Sequence, residues 1–246
     1  MDRTEDPDIL IHPRRGKKEK SIPDTGFLLV NPFEAEKTHT IYRQAGAESR
    51  YLFNSGLSIV KDNSRFIAGP SIGAPMAVMT MEKLIALGAK NIILFGWCGA
   101  ISKTMCVGDL LLPDSAMSGE GTSSYYENNS VIKPSQRLNE QLESFFKGQG
   151  VRFKRGCVWS TDAIYREDRK LLQQLRDEKN VSAVDMEFSA LCSVAMFRGI
   201  QFSALLMVSD ELWRELWRPG FSSKNFKAQC KHSLSLLLDF ANNKQT

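Results

Sequence analysis

The chain predicts a single-domain α/β fold. Short apolar runs with the character of buried strands alternate with stretches of helical period, and glycine-rich segments fall where strands hand over to helices. At 246 residues the chain can bury a sizeable core without disulfide or metal staples. The first 26 residues stand apart, carrying Pro7, Pro13, Pro23 and the basic run RRGKKEK at 14–20. That composition suits a solvated, flexible arm. The folded domain then occupies residues 27–246.

FLLVN at 27–31 is an apolar run closed by Pro32, a buried first strand entering a turn. Strands at 58–60 and 66–68 flank the KDNS turn. GPSIGAP at 69–75 delivers a helix over 75–87, with Pro75 in its first turn and Gly88 as its C-terminal cap. A strand at 91–95 runs into LFGWCGA at 94–100, read as a glycine-rich turn that cradles a ligand. LLLPDSAMS after Gly108-Asp109 gives two short β pieces, 134–147 a surface helix, and RGCVWST at 155–161 a strand followed by the loop DAIYRED. Residues 168–179 are helical in pattern. A strand at 181–184 leads into a helix over 186–198, whose Ala190, Leu191, Val194 and Ala195 follow Glu187 along one face before Gly199. IQFSALLMVSDEL is a central strand ending at Ser209-Asp210, and a last amphipathic helix covers 222–240.

Composition narrows the function. The net charge of +4 is dispersed outside the arm, so nucleic-acid binding is a distant reading that rests on the arm alone. Five cysteines form no CxxC pair and mostly lie in apolar runs, as free thiols do in a reducing cytoplasm. His12, His39 and His232 make no zinc motif. No apolar run approaches the roughly 20 residues of a membrane span. The expectation is a cytoplasmic protein without cofactor or metal. GxxxG at 69–73 is not the GxGxxG of a dinucleotide loop.

Chemistry concentrates at two strand ends. Asp185-Met186-Glu187 puts two carboxylates where a strand gives way to a helix. Such an acid is often only a cap, but Glu187 also lies where α/β proteins bind ligands. Asp210 ends a strand too apolar to keep it solvated, and partial burial would let it hold a proton near neutrality.

These residues occur in a recognisable order: GPSIGAPMAVMTMEKLIALGAKNIILFGWCGAI, GEGTSSYY, VWSTDAIYRED, AVDMEFSALCSVA and VSDEL. The series resembles the purine nucleoside phosphorylase and uridine phosphorylase family, with its nucleosidase relatives, from about residue 27 onward. The resemblance implies a three-layer α/β/α architecture with a twisted mixed central sheet. It also implies a metal-free enzyme that works as a dimer or hexamer on a nucleoside. Glycosidic cleavage develops positive charge on the sugar and negative charge on the departing base. Glu187 would bind the ribose hydroxyls, Met186 would pack on the sugar and Asp185 would stand where the family usually has glutamate. Asp210 resembles the general acid of the purine-specific branch. Ile72 matches a ribose contact, Ile164 and Tyr165 match a base-stacking segment, and Trp159 is a candidate second wall. Core packing explains each of these apolar residues equally well. His12 and Arg50 are candidate loans across a subunit interface.

The acceptor is where this chain departs from the family. Phosphorolytic members carry GDPxR after the first strand and RxGS or RxGT before the second loop. Here those segments read Val30-Asn31-Pro32-Phe33-Glu34 and Leu94-Phe95-Gly96-Trp97. Both arginines are gone, one replaced by an acid, which leans the reading toward water with Glu34 or Glu36 activating it and Trp97 filling the anion space. The runner-up is a relative that binds nucleosides without turning them over.

Overall fold

The computed structural model describes residues 8–52, 55–126 and 131–241. Among the described residues ten strands form one sheet: β1 (Thr25–Leu29), β2 (Glu48–Leu52), β3 (Ser55–Ile59), β4 (Phe66–Gly69), β5 (Asn91–Ala100), β6 (Leu110–Gly119), β7 (Lys154–Thr161), β8 (Val181–Asp185), β9 (Gln201–Glu211) and β10 (Arg218–Pro219). Their spatial order is β10-β9-β6-β7-β8-β5-β1-β4-β3-β2. Because β9 also pairs with β5, the strands β5, β9, β6, β7 and β8 close on one another. The β1/β4, β1/β5, β5/β9, β6/β7 and β7/β8 pairs are parallel and the rest antiparallel, so the sheet is mixed.

Six helices cover its two faces: α1 (Pro32–Gln44), α2 (Ala74–Leu87), α3 (Gln136–Gly148), α4 (Arg169–Lys179), α5 (Phe188–Arg198) and α6 (Lys224–Phe240). One core layer joins α2 and α5 to Leu94 and Cys98 of β5, and the other joins α1, α3 and α6 to Ile93, Phe95 and Trp97. The period-two alternation of β5 therefore feeds both layers. Local signals start the helices. Asn31 accepts from Phe33 N at 2.9 Å ahead of Pro32, Asp168 accepts from Lys170 N and Leu171 N at 2.7 and 3.1 Å, and Ser223 accepts from Phe226 N at 3.2 Å.

LFGWCGA differs from its expectation. It is the second half of β5 and not a turn, since a polar-poor run flanked by parallel β9 along its length, by β1 at Leu94 and Phe95 and by antiparallel β8 at Gly99 and Ala100 is satisfied by ladder hydrogen bonds. Its glycines serve close approach instead. A side chain at Gly96 would crowd Val30 and Leu206, and one at Gly99 would collide with Leu212. LLLPDSAMS is one strand with an irregularity between Pro113 and Ser115, and not two pieces. The helix expected from 186 begins at Phe188. The described part of the arm, from residue 8, meets the domain. Ile22 is buried and its N–H bonds Leu87 O at 3.0 Å, Lys83 Nζ donates to Arg14 O at 2.8 Å, and Arg50 Nη1 donates to Lys20 O at 2.8 Å.

Candidate active site

The loop after β4 is held in place before it meets any ligand group. Gly69 has φ +141°, and a side chain there would strike Leu29 O. His39 of α1 is buried between Ser58 Oγ at 2.8 Å and Gly69 O at 3.0 Å. Ser71 N donates to Val30 O at 3.2 Å, and the hydroxyls of Ser55, Ser71 and Thr80 share hydrogen bonds of 2.8 to 3.2 Å. So anchored, the loop presents Gly73 N to Glu187 Oε1 at 2.6 Å.

Glu187 is the N-cap residue of α5 and is 5% exposed. Its side chain caps nothing on α5 and reaches across to Gly73, which sets it apart from an ordinary helix cap. Burial, and then the neighbouring Asp185 carboxyl, push its pKa up. Asp185 does the capping. Its Oδ2 accepts from Glu187 N at 3.1 Å and Phe188 N at 2.7 Å, and its Oδ1 accepts from Ser160 Oγ at 2.5 Å. Burial raises Asp185 as well.

Asp210 projects near the end of β9, where it accepts from Ser209 Oγ at 2.6 Å and from Trp217 Nε1 at 2.8 Å. Glu167, in the loop after β7, lies within electrostatic reach of it. Burial, and then the Asp210 charge, push Glu167 up to about 7. The fully buried Cys98 thiol feels both Asp185 and Asp210, so the acids converge around the far end of β5. Burial first, then those two charges, hold that thiol well above its ordinary range.

The remaining candidates divide. Met186 is half-buried beside this cluster, while Ile72, Ile164 and Tyr165 are 48%, 52% and 96% exposed. They are surface groups at the loop ends, free to meet a ligand or a second chain. Trp159 packs in a core patch with Ile101, Leu172, Leu175, Val181 and Val184, its indole against the Cα of Gly119. Arg50 lies on β2, paired with Glu48 at 2.9 Å.

Glu34 joins a second cluster, on the α1 and α6 side of the sheet. Its Oε1 accepts from Cys230 Sγ at 3.4 Å, and its Oε2 has no hydrogen-bond partner. Burial raises Glu34. Trp97 borders the same thiol, stacks on Phe221 at 6.2 Å and meets Phe226 edge-on at 5.1 Å. Leu94 is fully buried on the opposite face. Sequence reading missed Trp217 and Glu167. Both sit in charged loops, and only the fold brings them to Asp210. Among the described residues no group of three or more His, Cys, Asp or Glu side chains is placed to hold a metal ion. None of the helices described is long and apolar enough to cross a membrane.

Comparison with known proteins bears on this arrangement. A purine nucleoside phosphorylase of the DeoD type from Clostridium novyi is 29% identical over 149 residues. That alignment covers 59% of this chain and spans 64% of the relative's length. The solved purine nucleoside phosphorylase of Toxoplasma gondii, in complex with immucillin-H, superposes with a TM-score of 0.79 at 20% identity, covering 97% of this chain and 98% of that one. The AMP nucleosidase of Bacteroides thetaiotaomicron superposes with a TM-score of 0.72 at 22% identity, covering 92% and 91%. At those identities the two structures establish a shared fold. Residues 27–240, which carry both acid clusters, match the phosphorylase superfamily, and the chain belongs to it.

Proposed function

We propose that this protein cleaves the N-glycosidic bond of a nucleoside, favouring purines, with water preferred to phosphate as the acceptor. The observation that carries the reading is Glu187, a buried carboxyl held by Gly73 N at the strand-end edge of the sheet, with Asp210 and Glu167 at the same edge. Ribose hydroxyls are donors and need such an acceptor. Burial makes Glu187 hold its proton more tightly than a free carboxyl, and once ionised it stabilises the positive charge developing on the sugar more in the transition state than in the ground state. The departing base accumulates negative charge and needs a proton. Asp210 is the group placed to give it, and Glu167 is held where it keeps a proton near neutrality. The purine preference draws on Asp210 and on the name of the Clostridium relative. Binding without turnover is the weaker reading, because a binding module has no use for an acid at the leaving group.

The lean to water rests on the second cluster. A phosphate dianion would meet the Glu34 carboxyl there, with a thiol and three aromatic rings in place of arginines. Burial raises Glu34, and its buried Oε2 has no hydrogen-bond partner; a water admitted beside it would give that oxygen its proton. The phosphorylase name of the relative pulls the other way. Product analysis on a panel of nucleosides, in buffer freed of phosphate and with phosphate restored, decides between them. Free ribose at an unchanged rate is expected. Ribose 1-phosphate that stops when phosphate is withdrawn would overturn the lean to water.

We also propose a homo-oligomer. Ile72, in the loop before α2, and Met76 and Met79 in its first two turns are 48%, 37% and 49% exposed, beside the contact that holds Glu187. Light scattering is expected to give at least twice the chain mass of 27.7 kDa. A fully active monomer would remove the loans assigned to His12 and Arg50.

A further inference from the structure

The turn GEGTSSYY at 119–126 has no part in the chemistry described so far. Its Glu120 is 7% exposed and surrounded by donors. Ser118 Oγ reaches it at 2.8 Å, Thr122 N at 2.6 Å, Ser123 N at 3.0 Å and Ser189 Oγ at 2.9 Å, and Ser123 Oγ donates as well. Burial opposes its charge, but the Ser123 and Ser118 hydroxyls, the Ser123 amide and Ser189 together hold it below the ordinary carboxylate range. A carboxyl that accepts from every side is an anion.

From there a continuous buried path leads to the ribose-side acids. Ser189 binds Glu120 through its hydroxyl and donates its backbone N–H to Ser160 Oγ at 2.9 Å. Ser160 Oγ donates in turn to Asp185 Oδ1 at 2.5 Å, and Asp185 Oδ2 accepts from the N–H of Glu187, whose side chain meets Gly73. Ser189 and Ser160 are 0% exposed, and Asp185 and Glu187 are 5% exposed. Cut off from water, each polar atom on this path depends on the next for its partner.

We propose that Glu120 is a positioning residue of the nucleoside site: an ionised buried carboxylate that orients Asp185 through Ser189 and Ser160 and so fixes where the Glu187 carboxyl sits. This rests on the reading of Glu187 as the ribose acceptor. Glu120 does not touch the reacting atoms. Its charge stands behind two further carboxyls and discourages both from ionising together. The other titratable groups around Asp185 are Glu187 beyond it, Cys98 of β5 and Cys192 of α5. Burial and the Asp185 charge keep both thiols neutral.

The test uses the full chain with Glu120→Gln, Glu120→Asp, Ser160→Ala and the Glu120→Gln/Ser160→Ala double variant, each checked for folding by circular dichroism. Carboxyl carbons of Asp and Glu are titrated by NMR in the ligand-free protein, and kcat/KM is followed against pH on the nucleoside the parent cleaves best. In Glu120→Gln the Asp185–Glu187 titration is expected to move down by about one pH unit. The acid limb of kcat/KM should move with it, and kcat/KM should fall at least about tenfold. Glu120→Asp keeps the charge and should restore the titration. The double variant should be no worse than its poorer parent, because both act through one path. An unmoved titration and acid limb in folded Glu120→Gln would overturn the proposal, leaving Glu120 a structural group. If that variant does not fold, Ser160→Ala decides: parent-like kcat/KM and pH profile would equally overturn it. A parent that cleaves no nucleoside would instead sink the functional reading, and the ligand-free titration would still judge Glu120.

Discussion

Asp210 and Asp185 are both strand-end acids, yet their surroundings give them different work. Asp185 is walled in and spends its oxygens on Ser160 and the first N–H groups of α5. It shapes the site without facing solvent. Asp210 accepts from Ser209 and from the half-exposed Trp217, and so stands at the surface of the site. An acid that protonates a leaving group matters in the transition state and little in the ground state. Asp210→Asn is therefore expected to lower kcat for a purine nucleoside by about 10²- to 10⁴-fold while substrate affinity changes by only a few fold. Steady-state kinetics with a direct binding measurement separates the two effects, and equal losses in both would reassign Asp210 to binding or folding.

The helices α2 and α5 carry the two halves of the Glu187–Gly73 contact and must keep their spacing. Arg198 at the end of α5 clamps Glu82 of α2, with Nε reaching both carboxylate oxygens at 3.1 and 2.8 Å and Nη2 reaching Oε1 at 2.8 Å. The two side chains are 13% and 9% exposed, so neither is well solvated if its partner is lost. Arg198→Met is expected to destabilise the fold by about 3 kcal/mol, because it strands a buried carboxylate. Adding Glu82→Gln should recover most of that loss. Urea denaturation of the single and double variants checks this. A loss below about 1 kcal/mol in the single variant would make the clamp equivalent to an exposed ion pair.

At the scale of the whole molecule, burial raises several of the described acids, and stability should depend on pH accordingly. Glu34, Glu167, Asp185 and Glu187 all bind protons more tightly folded than unfolded. Their contribution is complete below the unfolded carboxylate range and is lost as pH rises through the folded values. Burial lowers His39, which therefore acts in the opposite sense, but only below about pH 6.5, where the unfolded imidazole takes a proton. From about pH 6.5 to 8 the acids act alone, with Glu167 titrating near 7. The melting temperature is expected to fall across that interval, and to fall less in Glu167→Gln. A melting temperature that rises over the interval would mean these carboxyls are ionised in the fold.

The linear sequence by itself determined the α/β class, the helices α2 to α6 to within two residues of their starts, and the two main acids; α1 was hidden, because Pro32 reads as closing a strand into a turn. Each element it placed depends on residues close together along the chain: Pro75 in a first turn, Gly88 and Gly199 after a last one, a carboxylate where an apolar strand stops. It was enough to place Glu187 and Asp210 at strand ends. Tertiary structure decided what their neighbours do. LFGWCGA looks like a turn because two of its seven residues are glycine, and only the strands packed on either side show that those glycines admit Val30, Leu206 and Leu212. Glu120, Glu167 and Trp217 carry no local sign of their roles. Glu120 meets Ser189 across 69 positions of sequence, and Glu167 and Trp217 reach Asp210 from separate loops. Glu34 reads locally as an exposed acid in the first turn of a helix, and it is buried because α6 returns from the far end of the chain to set Cys230 against it. Local propensity fixes where strands end; which carboxyl loses its water depends on what the rest of the chain brings against it.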